Sequence, residues 1–307
     1  MTETITFLLA GTILAGTPLL IAALGELIAE KSGVLNLSVE GMMAVGAAAG
    51  FIAVKLTGSY WLGFLVGGLS ASLLSAVFAF VVLITLGNQV AAGIAIGILG
   101  IGLAGLIGHP YESSTISPMA TMDIPLLSQI PVIGPGLFSH TPLAYLAVVL
   151  VFLTAWVLKS TALGRTIRAV GEDPHAANSI GYDVVLVRFF CVLYGGFMAG
   201  VAGAFISTVS ATLWSDGIIA GRGWIVVALV VFGTWRAGRI AIGAYLFGFA
   251  NLAGLLVQST GVAIPSQFLT SVPYIITIIA ISLLSMNPAR LRLNTPVTLG
   301  QTYLETK

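Results

Sequence analysis

The sequence predicts an all-α, polytopic bundle of about nine membrane-spanning helices, with the whole chain, 1–307, forming one transmembrane domain. Three observations carry this. Of 307 residues, 58% are hydrophobic and 7% charged, with a mean hydropathy of +1.07, whereas a soluble domain carries about a quarter charged residues. The apolar residues gather in runs close to the roughly 20 that a helix needs to cross about 30 Å of hydrocarbon. Most charges lie between the runs, and 12 basic against 11 acidic residues point neither to nucleic acid nor to a polybasic surface partner.

Crossings are expected over 5–28, 34–54, 60–86, 89–108, 142–158, 186–210, 223–235, 240–258 and 267–285, a number between eight and ten. The first, ITFLLAGTILAGTPLLIAALGELI, lacks a basic leader, is too long for a signal core and runs into ELIAEK rather than a small-residue cleavage site, so it is read as a retained helix. Glu26 and Glu30, one turn apart at its end, repel each other and oppose the negative helix terminus. Compensation is expected from Lys31 or a neighbouring subunit.

The second run opens on KSGVLNLSVEGMMAVGAAAG, residues 31–50. Asn36, Ser38 and Glu40 are spaced by two, which aligns them on an extended strand but spreads them around a helix. Gly33 and Gly41 permit a break there. Glu40, about six or seven residues and roughly 10 Å into the run, costs several kcal/mol if it faces lipid. Two readings stand: the break lines a translocation pathway or gate, or Glu40 is a structural cap or interhelical hydrogen-bond site.

The run 60–86 is long enough to be tilted or broken, and 223–235 short enough to be a half-helix or re-entrant piece. The connection 109–141 contains Glu112 and Asp123 but no Lys or Arg, whereas 159–188 contains Lys159, Arg165, Arg168 and Arg188. Basic residues remain on the cytoplasmic side, so 109–141 is expected outside and 159–188 inside. Lys31, Arg236, Arg239, Arg290, Arg292 and Lys307 follow inside, with Lys55 and Arg222 outside, the amino terminus outside and the carboxyl tail cytoplasmic. Within 109–141, which has five prolines, IPLLSQIPVIGPGLF is apolar enough to lie on the outer interface and offer a docking surface.

In STALGRTIRAVGEDPHAANSIGYDVVLVR, residues 160–188, Asp173 followed by Pro174 is a strong helix start. His175 to Ile180 give about two turns, and Gly181 can take the left-handed conformation that ends them. A connector with its own capped helix reads as a docking element. A fainter pattern links the halves: SGVLNLSVEG leads into a small-residue helix and GSYWLGFLVGG, and SDGIIAGRG leads into WIVVALVVFG and RAGRIAIGAYLFG. In the expected topology these units run oppositely, as in an inverted repeat.

Other polar or aromatic residues have plainer readings. Arg222 either pairs with Asp216, meets an external protein or snorkels. Trp214 and Trp224 read as interfacial anchors, or as a stacking surface for a bound aromatic ring. Asn251 and Gln258 are candidate solute contacts or interhelical glue. Cys191 lies in an apolar run and reads as packing. His109 and His140 have no ligand cluster nearby, so no metal site is expected.

GRTIRAVGEDPHAANSIGYDV resembles the cytoplasmic coupling loop of ABC-importer permeases of the ribose, nucleoside and branched-chain amino acid type. EKSGVLNLSVEGMMAVGAAAG resembles the corresponding motif of the nucleoside-type members, and GRGWIVVALVVFGTW with GAYLFG resembles their late helix pair. The likeness extends over about 10–290 and is nearest to the shorter permease subunit of purine-nucleoside importers. It implies a subunit forming the pathway for nucleosides or related simple sugars in the bacterial cytoplasmic membrane. A separate ATPase would bind around Gly171, Glu172, Asp173, Pro174, Ala176, Ala177 and Gly181. A second permease in a heterodimer and an external substrate-binding lipoprotein complete the assembly. The chain has no G-x-x-x-x-G-K-[ST] loop, so ATP and Mg belong to the partner ATPase; this chain has no catalytic residue or bound cofactor in this reading. Asn36, Ser38, Glu40, Gly41, Arg222 and Asn251 are the pathway candidates. The alternative is an ion-coupled secondary transporter with Glu40 as the ion or proton site.

Overall fold

A computed structural model describes residues 2–131, 133–259 and 294–304, with positions 271, 272, 275, 278 and 279. The helices are α1 (Thr2–Lys31), α2 (Val39–Thr57), α3 (Tyr60–Ala79), α4 (Gln89–Gly108), α5 (Ile133–Leu137), α6 (Pro142–Ser160), α7 (Ala162–Glu172), α8 (Pro174–Ser179), α9 (Val184–Phe205), α10 (Arg222–Phe232) and α11 (Ala237–Ser259). Wider π-helical turns continue α3 through Phe80–Ile84 and α9 through Ile206–Ser210. Two short strands, β1 (Met122–Asp123) and β2 (Ser139–His140), pair antiparallel.

Among the described residues, six helices are long and apolar enough to cross a membrane: α1, α2, α3, α4, α6 and α9 with their flanking turns. They match six of the nine expected runs. The 11-residue α10 is the expected short piece, and the 23-residue α11 covers the expected 240–258. The expected run 267–285 lies outside the described residues apart from the five positions above, as do Arg290, Arg292 and Lys307.

Two boundaries differ from expectation. The second helix begins at Val39 rather than 34, because Gly33 adopts φ +94° and the chain turns through Ser32–Ser38 before helix resumes. The 159–188 connection contains α7 as well as α8. Only Gly164, Ile167, Val170 and Gly171 of α7 are buried, a narrow stripe that an apolar-run reading passes over.

The core is a three-helix contact of α2, α3 and α9, with α1 along α9, α4 along α2 and α11 along α1. Lipid tails supply no hydrophobic drive between helices, so close approach through small residues does the packing. Gly46, Gly67 and Gly200 meet at the crossing of α2, α3 and α9, where a Cβ on any of them would overlap neighbouring backbone. Helix starts are locally encoded: Asn88 Oδ1 accepts from Ala91 N–H (3.0 Å), Thr161 Oγ1 from Gly164 N–H (3.1 Å) and Asp183 Oδ1 from Leu186 N–H (2.8 Å), each satisfying a free first-turn amide.

The bundle has two distinct ends. At one, α5 packs against the start of α1, and Lys55 near the end of α2 donates to the Thr115 carbonyl (2.8 Å). At the other lie α7, α8, the end of α1 and the tail 294–304. The two units of the expected repeat run oppositely: α2 leads away from the α8 end, and α10 leads from Glu40 toward it, where Trp235 meets Glu30.

Candidate functional site

The first candidate site is the junction where α2 and α10 both begin. Asn36 and Ser38 build the turn before α2: the Ser38 N–H and Oγ both donate to Asn36 Oδ1, at 3.0 and 2.5 Å. Both residues are fully buried. Leu35 N–H donates to Gln89 Oε1 on α4 (2.8 Å). The extended spacing of Asn36 and Ser38 is therefore that of a turn, and the helix takes over one residue before Glu40.

Glu40 reaches across to α10. Its Oε1 accepts from Gly221 N–H (2.7 Å) and its Oε2 from Gly223 N–H (2.6 Å). Gly221, the residue preceding α10, adopts φ +81° and has no side chain to cap the helix; a carboxylate from another helix does so instead. Charge and geometry agree, because Glu40 sits in the first turn of α2 and at the start of α10, where two helix dipoles present their positive ends. Gly41 allows this depth of burial, since a Cβ there would overlap Gly97 of α4. Glu40 is thus level with the middle of α4.

Beside Glu40 lies a cavity of about 140 Å³ lined by Ala44, Ile101, Ala104, Trp214, Asp216 and Gly217–Ala220. Of the six expected pathway residues, Glu40 alone lines it. Arg222 is the first residue of α10, half-buried, and donates to the Ile218 carbonyl (2.8 Å). Asn251 lies on α11, which packs along α1 and not against this cavity. Trp214 is buried against Gly108 rather than placed at a surface, whereas Trp224 is exposed. Trp214 and Asp216, read from the sequence as an interfacial anchor and a partner for Arg222, also line it; their contact with α4 depends on the re-entry of 211–221, which no local pattern announces.

At the end of α1 the expected partner Lys31 acts on Glu30 by charge, and other polar groups take the hydrogen bonds. Lys31 Nζ donates to the Asn294 carbonyl (2.5 Å). Glu30 Oε2 accepts from the Trp235 indole N–H (2.5 Å), and Glu26 Oε1 from Asn36 N–H (3.3 Å).

The second candidate site is the α7–α8 corner. Asp173 caps α8 through Ala176 N–H (3.0 Å), Pro174 is its first residue, and Gly181 adopts φ +93°, each as the sequence predicts. The seven expected coupling residues divide by direction. Glu172, Asp173, Ala176 and Gly181 are exposed, while Gly171, Pro174 and Ala177 are buried. Ala177 packs with Val170, Val184 and Tyr303. Ile180 and Tyr182, 72% and 41% exposed, are apolar surface that the sequence reading did not single out.

Comparison with known proteins gives one consistent result. The family described as branched-chain amino acid transport system / permease component matches residues 8–281. A Haloferax volcanii protein provisionally named a glucose ABC transporter permease, TsgC13, is 40% identical over 96% of this chain and 97% of its own. The nucleoside ABC transporter permease protein NupC of Lactococcus lactis subsp. cremoris is 32% identical over 92% and 93% of the two chains. The guanosine ABC transporter permease protein NupQ of Bacillus subtilis is 29% identical over 91% and 92%. No solved structure matches.

Proposed function

This chain belongs to the branched-chain amino acid transport system / permease component family as a multi-pass permease subunit of an ABC importer, and from that premise we propose that it carries nucleosides or related simple sugars. It is a transport subunit, not an enzyme, and the family implies ATPase and binding-protein partners. The substrate reading is supported by the names of the relatives: glucose, nucleoside and guanosine share a sugar ring.

The observation that carries the mechanism is the exposed, capped α8 between α7 and α9. In this proposal a partner ATPase, holding ATP and Mg, grips Glu172, Asp173, Ala176, Ile180 and Gly181. Gly171, Pro174 and Ala177 fix the loop from within. A second, non-identical permease completes the pathway, and an external lipoprotein delivers solute to the end carrying 109–141. The tail lies on the cytoplasmic side of the cytoplasmic membrane. Asn36, Ser38 and Gly41 shape the junction, Glu40 and Arg222 anchor its two helix starts, and the cavity beside Glu40 lies on the route. Asn251 is a solute contact only if α11 turns toward that route during transport.

The test is ATP hydrolysis and solute uptake in proteoliposomes holding this chain with its second permease, ATPase and binding protein. Purine nucleosides are expected to stimulate hydrolysis only when the binding protein is present, and Ile180→Asp to abolish ATPase co-purification. Stimulation by glucose or ribose alone selects the simple-sugar arm of the proposal, and stimulation by none of these solutes overturns it. Uptake by this chain alone down an ion gradient overturns the coupling mechanism.

A further inference from the structure

The tail 294–304 lies in the angle between three segments distant in sequence. Thr298 ties it to the coupling loop: its N–H and its Oγ1 both donate to the Gly171 carbonyl, at 3.2 and 2.7 Å. Gly300 N–H donates to the Gly33 carbonyl (3.2 Å) in the turn before α2. The Gln301 carbonyl accepts from Gln89 Nε2 (3.2 Å), and Gln89 Oε1 in turn holds Leu35 N–H in that same turn.

Arg188, near the start of α9, joins these contacts. Its Nε donates to the Ser32 carbonyl (3.0 Å), Nη2 to Thr298 Oγ1 (3.1 Å) and Nη1 to the Gln301 carbonyl (3.5 Å). Tyr303 adds a ring 6.0 Å from the Arg188 guanidinium carbon and 5.1 Å from the His175 ring of α8. Arg188 is 1% exposed. A guanidinium removed from water needs acceptors placed around its planar fork, and here they come from the α1–α2 turn and the tail together. The charge therefore fixes the distance between those two segments.

We propose that the tail, clamped by Arg188, is a link that, beside the direct packing of Gly171 on the Lys31 backbone, carries displacement of the coupling loop into the Ser32–Ser38 turn and so to the Glu40 junction. Arg188 and Thr298 are positioning residues for transport: they touch no solute and set how far the junction follows α8. This rests on α8 being the ATPase docking element.

The experiment measures solute taken up per ATP hydrolysed by the assembled importer in proteoliposomes, with ATPase co-purification as a separate readout. Thr298→Val is expected to lower uptake per ATP roughly 2- to 30-fold, the range of residues that modulate coupling, with hydrolysis and co-purification retained. Thr298→Ser, which keeps the hydroxyl, is expected to restore it. Arg188→Gln is expected to give a loss that adding Thr298→Val does not deepen; if Arg188→Gln fails to assemble, the Val and Ser variants at Thr298 decide alone. Unchanged uptake per ATP in Thr298→Val overturns the proposal, as does loss of the ATPase from that variant, which makes the tail a docking surface. ATPase retention in Ile180→Asp, whatever Thr298 does, locates the failure in the α8 reading.

Discussion

Glu40 is a charge whose position was legible in the sequence and whose partners were not. An acidic residue inside an apolar run must be compensated, but the compensating groups are backbone amides of Gly221 and Gly223, and an amide leaves no trace in residue type. The same holds for Arg188, which the sequence counts as one more cytoplasmic cation while the structure buries it among carbonyls. Glu40→Gln should lower the unfolding temperature by several degrees in scanning fluorimetry, corresponding to about 2 kcal/mol for loss of charge-assisted bonds. An amide offers one oxygen to two N–H groups and turns its NH2 toward the other. Glu40→Asp should give a comparable loss, because the shorter side chain no longer spans to α10. A Glu40→Gln variant with wild-type stability and uptake would remove the cap from any essential role.

Long helices were legible because their apolar runs have membrane length, and α8 because Asp173, Pro174 and Gly181 are position-specific signals. The amphipathic α7 was not, since its buried stripe is only a few residues wide. Asp173→Ala should cost α8 about 1 kcal/mol and weaken ATPase binding several-fold in co-purification, whereas Asp173→Asn should keep the cap and the binding. The break before α2 was visible as a polar, glycine-flanked stretch, but the meeting of α2 with α4 at Gly41 was not, because sequence does not say which glycine faces a neighbour. Gly41→Leu should separate the two helices and sharply reduce folded protein in detergent; overpacking of this kind costs about 1–3 kcal/mol or more. Normal yield and elution volume for that variant would contradict the close approach.

For the molecule as a whole, the bundle places α5 and β2 of the 109–141 connection against α1, and α7 of the 159–188 connection against α1 as well; the sides expected for them from the basic residues call for a separate test. Which membrane face each end meets can be read by labelling. Cys191, the one native thiol, is 5% exposed, so background should be low. In sealed cells an impermeant maleimide should modify Glu112→Cys and leave Ser179→Cys unreacted until the membrane is opened; the reverse pattern would invert the orientation. The Glu40 junction also bears on how the chain is made. Its donors lie 181 and 183 residues downstream, and a ribosome adding about 5–20 residues per second needs roughly 10–40 s to reach them. Throughout that interval α2 resides in or beside the insertion channel with an unmatched carboxylate. Nascent chains arrested before residue 221 should therefore leave α2 loosely inserted and open to proteases, and chains arrested well beyond 232 should protect it, so that the last third of the polypeptide licenses the membrane residence of its second helix.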